Sequence, residues 1–337
     1  MKKITLLLSI LIIFVAHAGW YAISQHAINK KLPDEQSLTD FHYKLKKNTD
    51  TDPGSLIIEE EFLKTDKVTL HMDILSHGMG SPTIVFIPGT SVYAQIYAEF
   101  LFSVYKSGFN IIGFDPRGHG RSSGLRGDYT INEIVDDTFA VVEYAENRFG
   151  GKIAVIGSSQ GGIAAFYAAA RGESISAVVC HNIADLNGID NLVLSQFKAP
   201  QFLSSFLQKA MIIYENFAIP VSLYLDLEKE KFKNGTSVSA FINSDPLCVN
   251  WITVRAINSL LKTDLARPIE DISIPLMLIH SDKDSIFPQK YVENIFNRLN
   301  CEKEYLLLKD TNHLVMTNNV SEVEPEISRW LKKTLGY

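Results

Sequence analysis

The sequence predicts an α/β fold with a mostly parallel central sheet flanked by helices and a helical cap inserted before the last strands. Short β-branched runs alternate with longer stretches of helical spacing from residue 68 onward, which is the β-α-β rhythm of a parallel sheet. Residues 83–87 form a continuous apolar run, the pattern of a strand covered on both faces. Residues 190–250 break the rhythm, being rich in Phe, Leu, Tyr and Lys without a clear strand, and they predict the cap.

Each further element follows from its own pattern. The strands are predicted from short apolar or β-branched runs, at 68–75, 83–87, 109–114, 153–156, 177–180, 276–280 and 304–308. The helices are predicted from apolar residues three and four positions apart, at 96–107, 131–149, 163–170, 251–261, 291–299 and 323–335.

The first residues are typical of a membrane-targeting segment. Two lysines precede an apolar run over residues 4–16, and the small-x-small sequence at 16–18 fits a signal-peptidase site. An uncleaved anchor is the alternative, because the run extends to about 20 residues with Trp20 and Tyr21 placed like interfacial aromatics. Both interpretations place the rest of the chain outside the cytoplasm, exported or membrane-anchored.

These patterns divide the chain into three parts. Residues 1–25 are the predicted signal peptide or anchor, and residues 26–60, polar and interrupted by prolines, are a predicted tether. Residues 61–337 are the predicted folded domain, with the cap at about 190–250.

Composition limits the function classes. Apolar residues make up 46% of the 337 residues and charged residues 21%, which are the proportions of a globular chain. A net charge of −6 without long runs of like charge argues against a nucleic-acid partner. The three cysteines are far apart and form no cluster with histidines, so no metal site and no cofactor are expected.

The stretch Gly157-Ser158-Ser159-Gln160-Gly161 has the pattern G-x-S-x-G between the strand predicted at 153–156 and the helix predicted at 163–170. This context predicts that Ser159 lies on a sharp strand-to-helix turn and acts as a nucleophile. Glycine is favoured two residues before and after the serine because side chains would clash in so tight a turn.

A serine nucleophile needs a histidine to accept its proton and a carboxylate to orient that histidine. In α/β-hydrolases these follow the serine in the order acid, then histidine. His313 is the one histidine after residue 280, in the loop after the strand at 304–308. Asp282 and Asp284 both follow the strand at 276–280, and either could reach it. We favour Asp284, because Asp282 has the position of a turn-stabilising residue.

Residues 115–127, DPRGHGRSSGLRG, resemble the "D-x-R-G-H-G-x-S-x-G-x-R-G" stretch of one branch of the serine α/β-hydrolase superfamily. That branch holds monoacylglycerol lipases, lysophospholipases and serine aminopeptidase-like enzymes. The resemblance spans about residues 60–337 and includes the loops of the serine, the aspartates and the histidine. It implies that Asp284 is the acid and that the backbone N–H groups of Thr90 and Gln160 form the oxyanion hole. We expect Asp115, Arg117 and His119 to hold a buried turn and do no chemistry.

The resemblance and the targeting segment together imply hydrolysis of carboxylic esters, with acyl esters such as monoacylglycerols or lysophospholipids as substrates. Five aromatic residues of the cap are predicted either to line an acyl tunnel or to form the cap's own core: Phe197, Phe202, Phe206, Tyr214 and Phe217.

Two alternatives stay open. An aminopeptidase of the proline-iminopeptidase type would use the same three residues and a cap carboxylate for the substrate amine. The candidates for that carboxylate are Glu215, Asp226, Glu228 and Glu230. The second alternative is a non-catalytic binding protein on the same fold.

Overall fold

The computed structural model of the protein describes residues 2–34, 38–49, 57–172, 174–187 and 211–337. Ten strands lie in these ranges: β1 Glu59–Lys64, β2 Thr69–Leu75, β3 Thr83–Ile87, β4 Asn110–Phe114, β5 Ile153–Ser158, β6 Ala177–His181, β7 Ala218–Pro220, β8 Trp251–Thr253, β9 Leu276–Ser281 and β10 Lys303–Leu308. The α-helices there are α1 Lys2–Ile28, α2 Phe41–Thr49, α3 Ala98–Lys106, α4 Ile131–Phe149, α5 Gln160–Arg171, α6 Val221–Tyr224, α7 Val238–Ser244, α8 Val254–Leu261, α9 Gln289–Arg298, α10 Val315–Asn318 and α11 Val320–Leu335.

Eight strands form one central sheet in the order β1-β2-β4-β3-β5-β6-β9-β10. Strand β2 is antiparallel to both β1 and β4, and every other neighbouring pair is parallel. The four strands β3 to β6 are buried along their whole length, as their continuous apolar runs predict. The predicted mostly parallel α/β sheet is therefore confirmed.

Helices cover the sheet in pairs. Helix α3 contacts α11 and β4, while α4 packs with α5, which also contacts β5 and β6. Helix α4 begins at Ile131, as predicted, and a capping box stabilises this end. The Thr130 side chain accepts a hydrogen bond from the Glu133 amide, and the Glu133 side chain accepts one from the Thr130 amide. The position of α5 directly after β5 fixes where the predicted nucleophile stands.

The predicted cap, at about residues 190–250, falls between β6 and β9. Its described part, residues 211–250, includes the short helices α6 and α7 and strand β7, which pairs antiparallel with β8 directly after the cap, so that Ala218 lies opposite Thr253. The sequence pattern missed these strands because each has only three residues. Three of the predicted tunnel residues, Phe197, Phe202 and Phe206, lie outside the described residues.

Part of the predicted tether is folded onto the domain. Helix α2 packs against α3 with Phe41 and Leu45 buried, and Lys44 forms a 2.9 Å ion pair with Asp245 of the insertion. Phe41 and Leu45 are four positions apart and so share one helix face, which the lysines around them concealed in the sequence.

The N-terminal helix also contacts the domain. The Ile28 carbonyl at the end of α1 accepts a 2.8 Å hydrogen bond from the Arg126 amide, and Ser24 and Ile28 are buried. Within the part of the chain that the structure describes, no helix combines the length and the hydropathy needed to cross a membrane.

The turn after β4 is held as expected. Asp115 is fully buried and accepts 2.9 Å hydrogen bonds from the Ala94 amide, the Arg121 amide and His71 Nδ1. Arg117 binds the Asp137 carboxylate with Nε and Nη2. These bonds satisfy the polar groups of a turn that burial would otherwise destabilise.

His71 makes the stability of this turn depend on pH. Burial disfavours its charged form, but the carboxylates of Asp115 and Glu60 outweigh burial and raise the pKa of His71 to about 10. The unfolded chain loses this proton near pH 6.5 and the folded chain keeps it, so the stabilisation is complete below pH 6.5 and is lost toward pH 10. Between pH 7 and 10 we expect the free energy of unfolding to fall by roughly 2–4 kcal/mol more in the wild type than in His71→Gln.

Urea unfolding at pH 7, 8.5 and 10 measures this difference. His77→Gln, at an exposed histidine, is the control and should keep the wild-type dependence. Equal pH dependence in the wild type and His71→Gln would contradict the assignment.

Candidate active site

Ser159 lies on the turn between β5 and α5 with strained backbone angles of φ 55° and ψ −117°. A Cβ atom on Gly157 would lie 2.0 Å from the carbonyl oxygen of Gly161, and one on Gly161 would lie 2.2 Å from that of Ile87. Both glycines are therefore required by the close approach of backbone to backbone. The turn presents the Ser159 side chain at the carboxyl edge of the sheet.

The structure brings together the three residues predicted as nucleophile, base and acid. His313 Nε2 lies 2.8 Å from Ser159 Oγ, and His313 Nδ1 lies 2.7 Å from Asp284 Oδ2. Asp284 follows β9 and His313 follows β10, so the parallel pairing of these strands places both loops at one edge of the sheet. Asp282, the other carboxylate considered, is exposed.

Asp284 and His313 shift each other's pKa. Burial would raise the pKa of Asp284, but His313 and the Phe287 amide hold it well below its usual range. Burial would lower the pKa of His313, but the Asp284 carboxylate raises it above its usual value. In the neutral form that can act as a base, His313 donates Nδ1–H to the Asp284 carboxylate, which leaves Nε2 as the acceptor for the Ser159 hydroxyl.

The two predicted oxyanion donors lie beside Ser159. Gln160 is the first residue of α5, where a backbone N–H has no acceptor within the helix, and its side chain accepts a 2.8 Å bond from the Tyr129 hydroxyl. Thr90 follows β3 and lines the same cavity as Ser159 and His313. The dipole of α5 favours negative charge at this end of the helix.

Asn182 is a neighbour of the site that the sequence analysis missed. Its Nδ2 donates to Asp284 Oδ2 at 2.9 Å, and its Oδ1 lies 2.5 Å from His280 Nδ1. The acceptor-only Asp284 carboxylate and the His280 N–H together fix which end of the amide faces which partner. Its φ of 70° lies in the left-handed region, which asparagine tolerates better than most residues. The sequence alone does not show that this position adopts that conformation.

Glu230 connects the cap to the loops of the acid and the base. It is only 1% exposed, accepts a 3.0 Å bond from the His313 amide and a 2.5 Å bond from the Ser285 hydroxyl, and lines the cavity at Ser159. The other cap carboxylates considered from the sequence are Glu215, Asp226 and Glu228. None of these three lines the described cavity at Ser159.

Two cavities adjoin at the site. The one next to Ser159 has a volume of about 40 Å³, and a larger one of about 520 Å³ begins beside it. Four residues line both cavities: Ile96, Tyr97, Phe232 and Thr317. Helix α2 contributes Tyr43, Lys44 and Lys47 to the wall of the larger cavity.

Tyr214 and Phe217, predicted to line an acyl tunnel or to form the cap's own core, lie against α1. The Phe217 ring lies 4.8 Å from that of His17 and 5.0 Å from that of Tyr21, while the Tyr214 ring lies 5.3 Å from that of His17. Neither residue lines the two described cavities. They pack against aromatic side chains of α1, a helix distant from the cap in the sequence.

Comparison with known proteins identifies the family of the chain. Residues 81–319 match the family model described as serine aminopeptidase, S33. A bifunctional esterase/perhydrolase of Acinetobacter calcoaceticus is 25% identical over 225 residues, which are 62% of this chain and 76% of that protein. A proline iminopeptidase of Pestalotiopsis fici is 24% identical over 272 residues, 75% of this chain and 92% of that protein.

A solved structure supports the same fold. The monoacylglycerol lipase of Paleococcus ferrophilus superposes with a TM-score of 0.62 at 22% identity, covering 79% of this chain and 99% of the lipase. The family match covers most of the chain and includes the loops of Ser159, Asp284 and His313. The chain therefore belongs to the serine aminopeptidase S33 family of α/β-hydrolases and is a serine hydrolase.

Proposed function

We propose that the protein hydrolyses carboxylic esters through a catalytic triad of Ser159, His313 and Asp284. The observation that carries the proposal is the continuous hydrogen-bond chain of 2.8 and 2.7 Å from the strained Ser159 to a buried carboxylate. In this arrangement a histidine can accept the serine proton while the carboxylate stabilises the imidazolium that forms.

The reaction then has two steps. His313 Nε2 takes the Ser159 proton as Oγ attacks the ester carbonyl, and the backbone N–H groups of Thr90 and Gln160 stabilise the oxyanion. The alcohol leaves with the proton from His313, and the acyl group stays on Ser159. Water, deprotonated by His313, attacks this acyl-enzyme and releases the acid.

We propose acyl esters such as monoacylglycerols or lysophospholipids as the substrates. The likeness of the fold to a monoacylglycerol lipase supports this class. So does the larger cavity, where Phe100, Phe241 and Met316 lie together with Lys44 and Lys47, as suits an ester with an apolar and a polar part.

The test is hydrolysis of p-nitrophenyl esters from acetate to palmitate by the full chain, with Ser159→Ala as the control. Activity that disappears in the variant supports the triad, and the optimum chain length reports the depth of the acyl site. A folded wild-type protein that cleaves none of these esters would overturn the proposal.

The contacts of Asn182 lead to a prediction about the acid. Asn182→Ala removes one donor to Asp284 Oδ2, so the orientation of the carboxylate toward His313 is held only by the Ile286 and Phe287 amides on Oδ1. We expect kcat for p-nitrophenyl acetate to fall about 10- to 100-fold, since one hydrogen bond to a charged group is worth roughly 1.5–3 kcal/mol. Asn187→Ala, in the same segment but exposed, should keep the wild-type kcat. A wild-type kcat in Asn182→Ala would exclude a positioning role.

An aminopeptidase activity is the second candidate, and the burial of Glu230 beside the triad favours it. A carboxylate in the cavity wall could bind the amine of an unblocked N-terminal residue, and a proline iminopeptidase is among the similar proteins.

Glu230→Gln separates the two candidates. We expect the wild type to cleave the esters and not prolyl-p-nitroanilide. The ester kcat/KM of the variant should stay within about 3-fold, because the glutamine oxygen can accept from the His313 amide while its NH₂ donates to the Ser285 hydroxyl. Glu228→Gln, at an exposed cap carboxylate, is the matched control. Anilide cleavage that falls at least 100-fold in Glu230→Gln alone would make the aminopeptidase the leading candidate.

We also propose that residues 1–25 direct the chain out of the cytoplasm, as a cleaved signal or as an anchor. The apolar run after two lysines and the small-x-small sequence support this. Fractionation of expressing cells, with sequencing of the mature N terminus, tests it. A start at Gly19 indicates cleavage, and an intact chain in the soluble cytoplasmic fraction would contradict export.

A further inference from the structure

A second buried histidine lies beside the triad. His181 ends β6, and its ring centroid lies 4.9 Å from that of His313. It is 1% exposed, its Nδ1 lies 3.2 Å from Ser158 Oγ, and its Nε2 has no hydrogen-bond partner among the described residues. The mechanism gives this side chain no role.

The tautomer of His181 follows from these contacts. A neutral His181 ring carries one N–H and one acceptor nitrogen. That hydrogen belongs on Nδ1, where Ser158 Oγ can accept it, because a buried N–H without an acceptor is rarer in proteins than an unpaired acceptor. Nε2 then carries a free lone pair.

His181, Asp284 and His313 each offer one ligand atom, and these atoms lie within 4.8 Å of one another. Imidazole and carboxylate are common ligands of Zn²⁺, with bonds of about 2.0–2.2 Å. Atoms at that distance from a tetrahedral ion are about 3.3 Å apart, so the three side chains must close by at most about 1.5 Å. A water completes a four-coordinate site.

We propose that His181, Asp284 and His313 form an inhibitory Zn²⁺ site. The inference rests on the proposed function for its inhibitory effect, but the site itself does not depend on that function. The sequence predicted no metal site because the ligands come from three segments distant in the chain, the end of β6 and two loops, which meet only at the carboxyl edge of the sheet.

Inhibition follows whichever nitrogen of His313 binds the ion. At Nε2, Zn²⁺ occupies the lone pair that would accept the Ser159 proton. At Nδ1, the ring proton moves to Nε2, which then donates to Ser159 and can no longer accept. In both cases the metal-bound imidazole keeps one N–H, any further proton on His313 is released to solvent, and the general base is lost.

Isothermal titration of the full chain with ZnCl₂, beside ester hydrolysis at the same Zn²⁺ concentrations, tests the proposal. We expect one saturable site, inhibition with the same midpoint, and recovery of activity with EDTA. His181→Gln should weaken both Zn²⁺ binding and inhibition at least 10-fold relative to the wild type, with the activity of each protein normalised to its own metal-free value. His77→Gln removes an exposed histidine as the control for surface binding and should leave the midpoint unchanged.

The outcomes separate this proposal from the proposed function. Ser159→Ala cannot turn over ester but should still bind one Zn²⁺, so the titration reports the site even if the protein cleaves no ester. A wild-type chain without a saturable site overturns the proposal whether or not His181→Gln folds. Equal Zn²⁺ affinity in folded His181→Gln and wild type also overturns it.

Discussion

Asp284→Asn is expected to lower kcat for ester hydrolysis by about 10⁴-fold while the protein stays folded, since this is the scale of the effect when the acid of a Ser-His-Asp triad becomes an amide. In the wild type, Asp284 Oδ2 accepts Nδ1–H of His313 at 2.7 Å. An asparagine whose NH₂ faces His313 would favour the tautomer with the proton on Nε2. That nitrogen would then donate to Ser159 and could not accept its proton.

Asp282→Asn is the matched control, because it makes the same change two residues away at an exposed carboxylate. It should keep kcat within about 2-fold, as surface substitutions away from special features have small effects. Circular dichroism and thermal unfolding of both variants check the fold. If Asp282→Asn lost activity and Asp284→Asn kept it, the assignment of the acid would be wrong.

Gly161→Ala is expected to lower kcat/KM at least 100-fold and to destabilise the fold by roughly 3 kcal/mol or more, because the conflict is between backbone atoms. The added Cβ would lie 2.2 Å from the Ile87 carbonyl oxygen and 2.6 Å from that of Pro88. Relief of this clash must move the loop after β3, and with it the Thr90 amide that we assign to the oxyanion hole.

Urea unfolding and ester kinetics on the same preparations measure both effects. Gly19→Ala is the control, since nothing lies within 4 Å of the added Cβ there, and it should match the wild type in both measurements. A Gly161→Ala protein with wild-type stability and kinetics would show that the turn is more adaptable than its geometry indicates.

The central strands were predictable because burial on both faces leaves a continuous apolar run, as in β3 and β4. Ser159 was predictable because its turn requires glycines at fixed spacing. Strand β1, Glu-Glu-Glu-Phe-Leu-Lys, was not predicted, because an edge strand with alternate exposed positions carries charged side chains.

Asn182, His181 and Glu230 have no local signature. Each acquires its place from contacts between segments distant in the chain, such as the 102 positions that separate Asn182 from Asp284. A sequence pattern records periodicity and spacing within one segment, so it cannot display a hydrogen bond whose two partners meet only after the sheet has formed.

Glu230 links the position of the cap to the conformation of the loops that carry Asp284 and His313. A cap that lifts away removes the acceptor of the His313 amide and of the Ser285 hydroxyl, so opening leaves two donors without their protein partner. By linkage, a ligand that binds only beneath the closed cap also stabilises the loops of the acid and the base. Occupancy of the cavity and assembly of the site are therefore thermodynamically coupled.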